Sequence, residues 1–415
     1  MAQPRITVAM LGARMHYAVP RILQQAGMLQ ALVTDAYLDD GVQRRSLALL
    51  AGMPGLGPRL RPALGRHHPE LQGATIIQRR ATALRMFAQR RRARDKAAWR
   101  AAKGLGARQL AASIQRDLPV AGEAVFAFHE AALESFEVAA ARGLDCILEQ
   151  SVLARPVAAR ILADELSAWA HWYLPTGLPI VDAATFDRSR REWALADLIL
   201  APSEFVRQSL VDCGVAPSRI TLLPYGIDIP TRLPHRASYA GDRPLRLLFA
   251  GAVDLRKGIH HLLRAVDRLG PRAVELRVVG RIGLTPEIVS RFSDSARFLG
   301  HVPRQDMARQ FEWADAFVLP SLVEGSATVT YEALGRGLPV VATPNTGSMV
   351  ADDVEGRIVA AGSTEALLEA VAGYVDNPAM LHRHAAGACA ARERASYARY
   401  RRDLTETLRT WGQGA

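Results

Sequence analysis

The residues best placed to do chemistry are two glutamates in the stretch EGSATVTYEALGRGLPVV, Glu324 and Glu332, with seven residues between them. Gly325, Ser326 and Ala327 follow the first, and the apolar run AFVLPS precedes it. Glu324 to Ala327 therefore read as a loop at the carboxyl end of a strand, with Thr328 opening a helix. Helix starts present unpaired backbone N–H groups and a partial positive charge, which suits a diphosphate, and small residues let a ligand come close. Glu332, just over one turn into the helix, could accept two hydrogen bonds from a vicinal diol such as a ribose, and Glu324 could do the same for sugar hydroxyls. Taken alone, a helix start with an ordinary first-turn acid and a surface glutamate explains the same residues.

Two series of short apolar runs must hold these residues in place. ITVAMLG, ALVTD, VFAFH, CILEQ, LILAPS and ITLLPYG form the first; RLLFAG, ELRVVG, RFLGHV, AFVLPS, LPVVAT and RIVAA form the second. Near-continuous apolar strands alternating with helical patterns predict an α/β chain with parallel sheets covered on both faces. Two series predict two doubly wound, Rossmann-like domains facing a cleft, since ligands in such sheets sit beyond the carboxyl ends of the strands. The segment 224–244 carries four prolines and reads as the loop into the second series. We therefore expect one domain over 1–228, a second over 229–390, and a closing helix over 391–415 that braces the first.

A chain of 415 residues is long for one core, which agrees with two domains. No apolar run is long enough for a membrane span, and MAQPRITVAMLGARMHYAVP lacks a signal-peptide layout, so a cytoplasmic chain is expected. Cys146, Cys213 and Cys389 lie far apart and should be reduced and mostly buried. The net charge of +11 is local: residues 41–117 hold 17 Arg and Lys against three acids. That segment reads as a helical insertion or lid, with Ile77, Ala81, Leu84 and Phe87 or Ala88 on one face and arginines around it. An anionic membrane surface is the partner expected for it, ahead of a merely solvated face; with few aromatics and no binding module, nucleic acid is not expected.

The stretch from Glu324 resembles the E-x7-E signature of retaining glycosyltransferases of the GT-B fold, family GT4. LFAGAVDLRKGIHHLLRAV (248–266), ADLILAPSEFVRQSLVDCGVAPSRITLLPYGID (196–228), ELRVVGRIG, FLGHVP and WADAFVLPSLVEG are similar to the same family in the same order. The resemblance covers roughly residues 190–365. It implies that the donor, a nucleoside-diphosphate sugar, is held by Lys257 with Gly251 in the loop AGAVDLRKG, and by Gly325, Ser326, Ala327, Thr328 and Glu332. The family often has an arginine where this chain has Ala252, so Arg256 would supply the second charge. His301 and Val302 match the region whose backbone meets the base. His129 resembles the family histidine that touches the donor sugar near the reacting centre, and Glu324 would hold that sugar; a structural role for His129 weighs equally.

GARMHYAVP after the first strand lacks GxGxxG, which removes the main support for a nicotinamide dehydrogenase. Gly12 and Ala13 could still approach a donor phosphate or an acceptor, with Arg14 and His16 nearby, and Glu149 and Gln150 could read acceptor hydroxyls. No DxD-like pair stands in a suitable loop, so no metal or other cofactor is expected to be required. The histidines at 67–68 and 382–384 lack ligand partners at metal spacing. The expected reaction moves a sugar from the nucleoside diphosphate to a hydroxyl of a glycan or lipid-linked acceptor, in cell-envelope, exopolysaccharide or glycolipid synthesis. Retention by front-face attack or through a covalent intermediate stays open. A nucleotide-sugar epimerase on the same scaffold and a non-catalytic sugar-nucleotide-binding subunit are the rivals.

Overall fold

The computed structural model of the chain describes residues 3–38, 64–78, 96–117, 122–175, 183–233 and 238–412, with isolated positions between 41 and 49 and at 88 and 178. Two parallel sheets organise it. The first has the order β3-β2-β1-β4-β5-β6-β7, formed by Ile6–Met10 (β1), Leu29–Thr34 (β2), Ile76–Gln78 (β3), Ala124–Phe128 (β4), Asp145–Glu149 (β5), Leu198–Ala201 (β6) and Ile220–Leu222 (β7). The second has the order β10-β9-β8-β11-β12-β13, formed by Leu245–Ala250 (β8), Val274–Val279 (β9), Ala296–Gly300 (β10), Ala316–Leu319 (β11), Val340–Ala342 (β12) and Gly356–Ile358 (β13). Every residue of β1, β4, β6, β11 and β12 is buried. Helices cover both faces of such strands, which is why the runs read as continuously apolar instead of alternating.

The strand order reverses beside β1 in one sheet and beside β8 in the other, the places where a parallel sheet opens a crevice for ligands. Where the sequence suggests a wholly helical segment at 41–117, the fold differs. Ile77 lies in β3, paired in parallel with β2, and not on a helix face. The β-branched pair Ile76–Ile77 packs half-buried at the sheet edge, and the Gln78 side chain that follows accepts from the Tyr37 N–H at 3.0 Å. Lys96–Asp117 is a helix, whose Leu110 and Ile114 enter the core against the helix Leu133–Ala141. Ala81, Leu84, Phe87 and the arginines at 90–94 lie outside the described residues.

The two halves meet along several seams. The Leu174 N–H donates to the Gly283 carbonyl at 2.8 Å and the Thr285 N–H to Trp172 at 2.9 Å. The last helix, Tyr397–Trp411, starts beside Ile227, whose carbonyl accepts from the Tyr397 N–H at 2.7 Å, and reaches the helix Ala18–Gln25 through Arg401 and Gln25 at 3.1 Å. Tyr400 packs edge-on to Tyr225. Of the three free cysteines only Cys146 is buried, and burial pushes its thiol up to about 12; Cys213 and Cys389 are half-buried, less enclosed than their residue type suggests. No helix among the described residues is long and apolar enough to cross a membrane.

Candidate functional site

A cleft of about 700 Å³ lies between the carboxyl edges of the two sheets, a size suited to a small-molecule ligand. Gly251, Lys257, His301, Val302, Glu324, Ser326, Ala327, Thr328 and Glu332 all line it. Gly12, Ala13, His129, Arg256 and Gly325 do not.

Lys257 stands at the end of a single turn, Leu255–Lys257, that follows β8. The side chain of Asp254 caps this turn by accepting from the Lys257 N–H at 3.3 Å. That folds the lysine side chain back over Gly251, where it forms an ion pair with Glu324. Burial would raise the Glu324 carboxyl, but Lys257 more than offsets it and holds the group below its ordinary value. Arg256 does not line the cleft and bonds to Asp254 at 2.9 Å, while its charge also helps to lower the Glu324 carboxyl. Two further cations, which the sequence patterns do not single out, are Arg281, directly after Gly280 at the end of β9, and Arg304, directly after HVP; both line the cleft. Their only signal in the sequence is their place just beyond strand ends.

Glycine makes this floor possible. At Gly280, φ is +142° and a Cβ would lie 1.7 Å from the Gly251 carbonyl oxygen, so the ends of β8 and β9 touch through bare backbone.

Thr328–Leu334 is a short helix, and Ala327 before it offers no side-chain cap. The Ala327 N–H already donates to the Thr346 carbonyl at 3.1 Å, which removes one of the donors expected for a diphosphate. Ser326 is also committed, through Oγ to the Tyr331 hydroxyl at 2.8 Å and the Gly347 carbonyl at 3.1 Å. Glu332 differs: among the described residues its carboxylate makes no hydrogen bond, and it faces the cleft half-buried. Burial raises its carboxyl, opposed by Arg336 and Arg304. It is an open acceptor at one end of the cleft, while the Lys257–Glu324 pair lies at the other side of the same loop and helix.

The first sheet supplies the opposite wall through Met15, His16, Ala18 and Arg21. Met15, His16 and Tyr17 have φ values of 45°, 52° and 61°, three successive left-handed residues without a glycine, a costly conformation held by the buried Tyr17 ring against Tyr37. His16 Nε2 accepts from Arg304 at 2.6 Å across the cleft. Burial, then Arg304 and Arg21, lowers the His16 pKa, so the ring is neutral at pH 7 and able to accept. No spacing rule in the sequence announces this strained loop.

The remaining candidates act behind the wall. The Gly12 N–H donates to Asp35 Oδ1 at 2.9 Å. His129 is buried, with Nδ1 2.9 Å from Ser151 Oγ, which also accepts from Arg14 at 3.0 Å. Ser151 in turn abuts Gly325: a Cβ at Gly325 would lie 1.9 Å from the Ser151 carbonyl oxygen. Ser203 Oγ donates to the Gly325 carbonyl at 2.5 Å from another part of the first half. His129 and Gly325 thus meet at the seam that fixes the Glu324 loop against the first sheet. Glu149 accepts from the Tyr225 hydroxyl at 3.0 Å and Gln150 from the Trp193 indole at 3.0 Å, so both are satisfied inside the core.

Comparison with known proteins bears on the same residues. Residues 244–377 match the family model described as Glycosyl transferases group 1. Over 194 residues the chain is 26% identical to a putative colanic acid biosynthesis glycosyltransferase, WcaL, of Salmonella typhimurium, covering 43% of this chain and 47% of that protein. Over 226 residues it is 31% identical to the D-inositol 3-phosphate glycosyltransferase of Xylanimonas cellulosilytica, covering 48% and 54%. The chain matches about half the length of these curated relatives. The crystal structure of Alr3699/HepE from Anabaena in complex with UDP and glucose superposes with a TM-score of 0.62 at 14% identity, over 98% of this chain and 99% of that one. The fold is GT-B.

Proposed function

We propose that the cleft binds a nucleoside-diphosphate sugar and that the chain is a retaining glycosyltransferase of family GT4, passing the sugar to a hydroxyl of a glycan or lipid-linked acceptor. The observation that carries this reading is the gathering, in one cleft, of a buried cation, Lys257, over a bare glycine floor and a carboxylate, Glu332, that makes no hydrogen bond among the described residues. The names of the matched relatives, two glycosyltransferases, support the reaction class. UDP and glucose in the Anabaena structure support the ligand class.

The roles follow from charge and position. The diphosphate draws Lys257 toward itself, and Arg281 faces the same floor; together they stabilise charge growing on the leaving group, commonly the main source of rate in such transfers. Glu332 accepts from the ribose diol. Glu324, released from its ion pair, accepts from the sugar hydroxyls. His301 and Val302 lie where the base would sit. The bond from the anomeric carbon to the phosphate oxygen breaks, a bond to the acceptor oxygen forms with net retention, and the acceptor proton passes to the departing phosphate. His129 supports the Glu324 loop through Ser151. Arg304 meeting His16 closes the cleft and limits loss of donor to water.

The WcaL match supports a place in cell-envelope or exopolysaccharide synthesis. The basic charge of 41–117 supports work at the cytoplasmic face of an anionic membrane, where each basic residue near the surface adds about 1 kcal/mol. Vesicles with and without anionic lipid test that placement; equal binding to both would reject it.

The decisive assay incubates the chain with single nucleotide sugars and candidate acceptors and follows free nucleotide and product by mass spectrometry, with product anomeric configuration read by NMR. Acceptor-dependent release of one nucleoside diphosphate with retained configuration is expected. Interconversion of the nucleotide sugar without acceptor would identify an epimerase, and binding without turnover a scaffold subunit; either would replace this reading.

A further inference from the structure

A second polar cluster joins the two halves away from the cleft. Glu165 lies on the helix Arg155–Trp169 of the first half; His260 and His261 lie in the first turn of the helix Ile259–Leu269 of the second. Both imidazoles turn Nε2 onto the same carboxylate. His260 Nε2 is 2.8 Å from Glu165 Oε2, and His261 Nε2 is 3.1 Å from Oε1 and 3.3 Å from Oε2. The histidines are buried, and one ligand atom from each of the three residues lies within 4.8 Å of the others. Trp169 packs against both rings.

We propose that Glu165, His260 and His261 form a binding site for a divalent transition-metal ion, zinc by its ligand chemistry, that clips the two halves of the molecule together. Zinc takes imidazole nitrogen and carboxylate oxygen at about 2.0 to 2.2 Å in tetrahedral array, which sets neighbouring ligand atoms about 3.3 to 3.5 Å apart. The two histidine–carboxylate separations are close to that spacing, so a small outward movement admits the ion. Two His and one carboxylate fill three positions and leave a fourth for water.

The outer contacts favour the same conclusion. His260 Nδ1 is 2.7 Å from the Tyr173 hydroxyl, and His261 Nδ1 is 3.0 Å from Thr364 Oγ1. A hydroxyl both donates and accepts. Without metal, each Nε2–H donates to Glu165 and each hydroxyl donates to Nδ1. With metal, the proton moves to Nδ1 and is received by the hydroxyl, so either tautomer is satisfied and Nε2 is free to bind. Such outer partners fix the orientation of metal-binding histidines.

Gly258 and Ile259 link His260 to Lys257, so the ion would tie the Lys257 turn to the helix Arg155–Trp169 and fix one side of the cleft floor. This role is separate from the transfer reaction and does not depend on it.

The test uses the full untagged chain, freed of metal with EDTA and dialysed. Zinc is titrated against thermal unfolding, bound metal is counted by mass spectrometry, and cobalt replaces zinc for visible spectroscopy. One equivalent of zinc, a Tm rise reversed by EDTA, and cobalt bands typical of tetrahedral nitrogen and oxygen ligands are expected. Glu165→Gln should abolish all three, and Thr364→Val should weaken zinc affinity by about tenfold or more through loss of the outer partner. If Glu165→Gln does not fold, Thr364→Val carries the test. No zinc-dependent rise and no cobalt bands in the wild type would overturn the proposal, as would unchanged zinc affinity in Thr364→Val.

Discussion

The carboxyl edges of the two sheets face one cleft but are finished differently. On the second sheet, glycines follow β8 and β9, Arg281 and Glu332 line the cleft, and Lys257 reaches it through a single ion pair with Glu324. On the first, the polar groups are tied among themselves: Gly12 to Asp35, Asp35 to Arg66 at 2.8 Å, Arg14 and His129 to Ser151, Glu149 to Tyr225. On the proposed reading, one edge is the receptor for the donor. The other is a rigid wall whose strained loop, Met15 to Tyr17, is locked in shape.

Removing the cation from the receptor edge should break this comparison most severely. Lys257→Ala is expected to lower kcat by about 10²- to 10³-fold, the scale for a charge that stabilises a leaving oxyanion. Steady-state kinetics with the cognate donor checks it, and a loss below fivefold would move the diphosphate elsewhere. Next comes the seam between the edges. Gly325→Ala drives a methyl into the Ser151 carbonyl and should part the halves locally, costing about 10²-fold in kcat/KM, the scale of an ångström of misplacement. A crystal structure of that variant with an unmoved loop would contradict the close contact.

Glu332→Gln should raise the donor Kd by about tenfold, a weakened charged hydrogen bond or two, while kcat changes less. The two glutamates should also part company in stability as pH varies. Glu332 has a raised carboxyl in the folded chain, so its ionisation opposes folding: Glu332→Gln should gain Tm at pH 7 and lose that gain as pH falls through the raised folded value towards 4.5. Glu324 has a lowered carboxyl, so it stabilises above 4.5 and stops doing so as pH falls through its folded value. Glu324→Gln should therefore lose Tm at pH 7, with the deficit closing in acid. Tm curves for both variants from pH 3 to 8 decide it; slopes of the same sign would refute the opposed environments. The smallest effect is expected at Ser203, which caps the helix Glu204–Val211 and holds the Gly325 carbonyl. Ser203→Ala should cost about 1 kcal/mol by denaturant unfolding with little change in kcat.

The receptor edge was legible because its chemistry is local in sequence. Lys257 stands seven residues beyond β8, and Glu324 and Glu332 lie on one loop and helix after β11, so strand ends and spacing place them together. The wall was less legible because its contacts are distant: Ser151 with Gly325 and Arg304 with His16. Backbone donors misled most. Ala327 is small and begins a helix, yet its N–H is claimed by Thr346, a partner that only the folded chain reveals. Ile77 misled for another reason, since a short apolar run before arginines fits a helix face as well as an edge strand until β2 is there to pair with it.

On the proposed reading the second edge receives a nucleoside-diphosphate sugar. Isothermal titration of the wild type, Lys257→Ala and Glu332→Gln with UDP, GDP, ADP and their sugar conjugates tests it most directly. Binding of one nucleotide family to the wild type, abolished by Lys257→Ala and weakened about tenfold by Glu332→Gln, is the predicted result. No nucleotide binding to the wild type, or equal affinity in all three proteins, would contradict it.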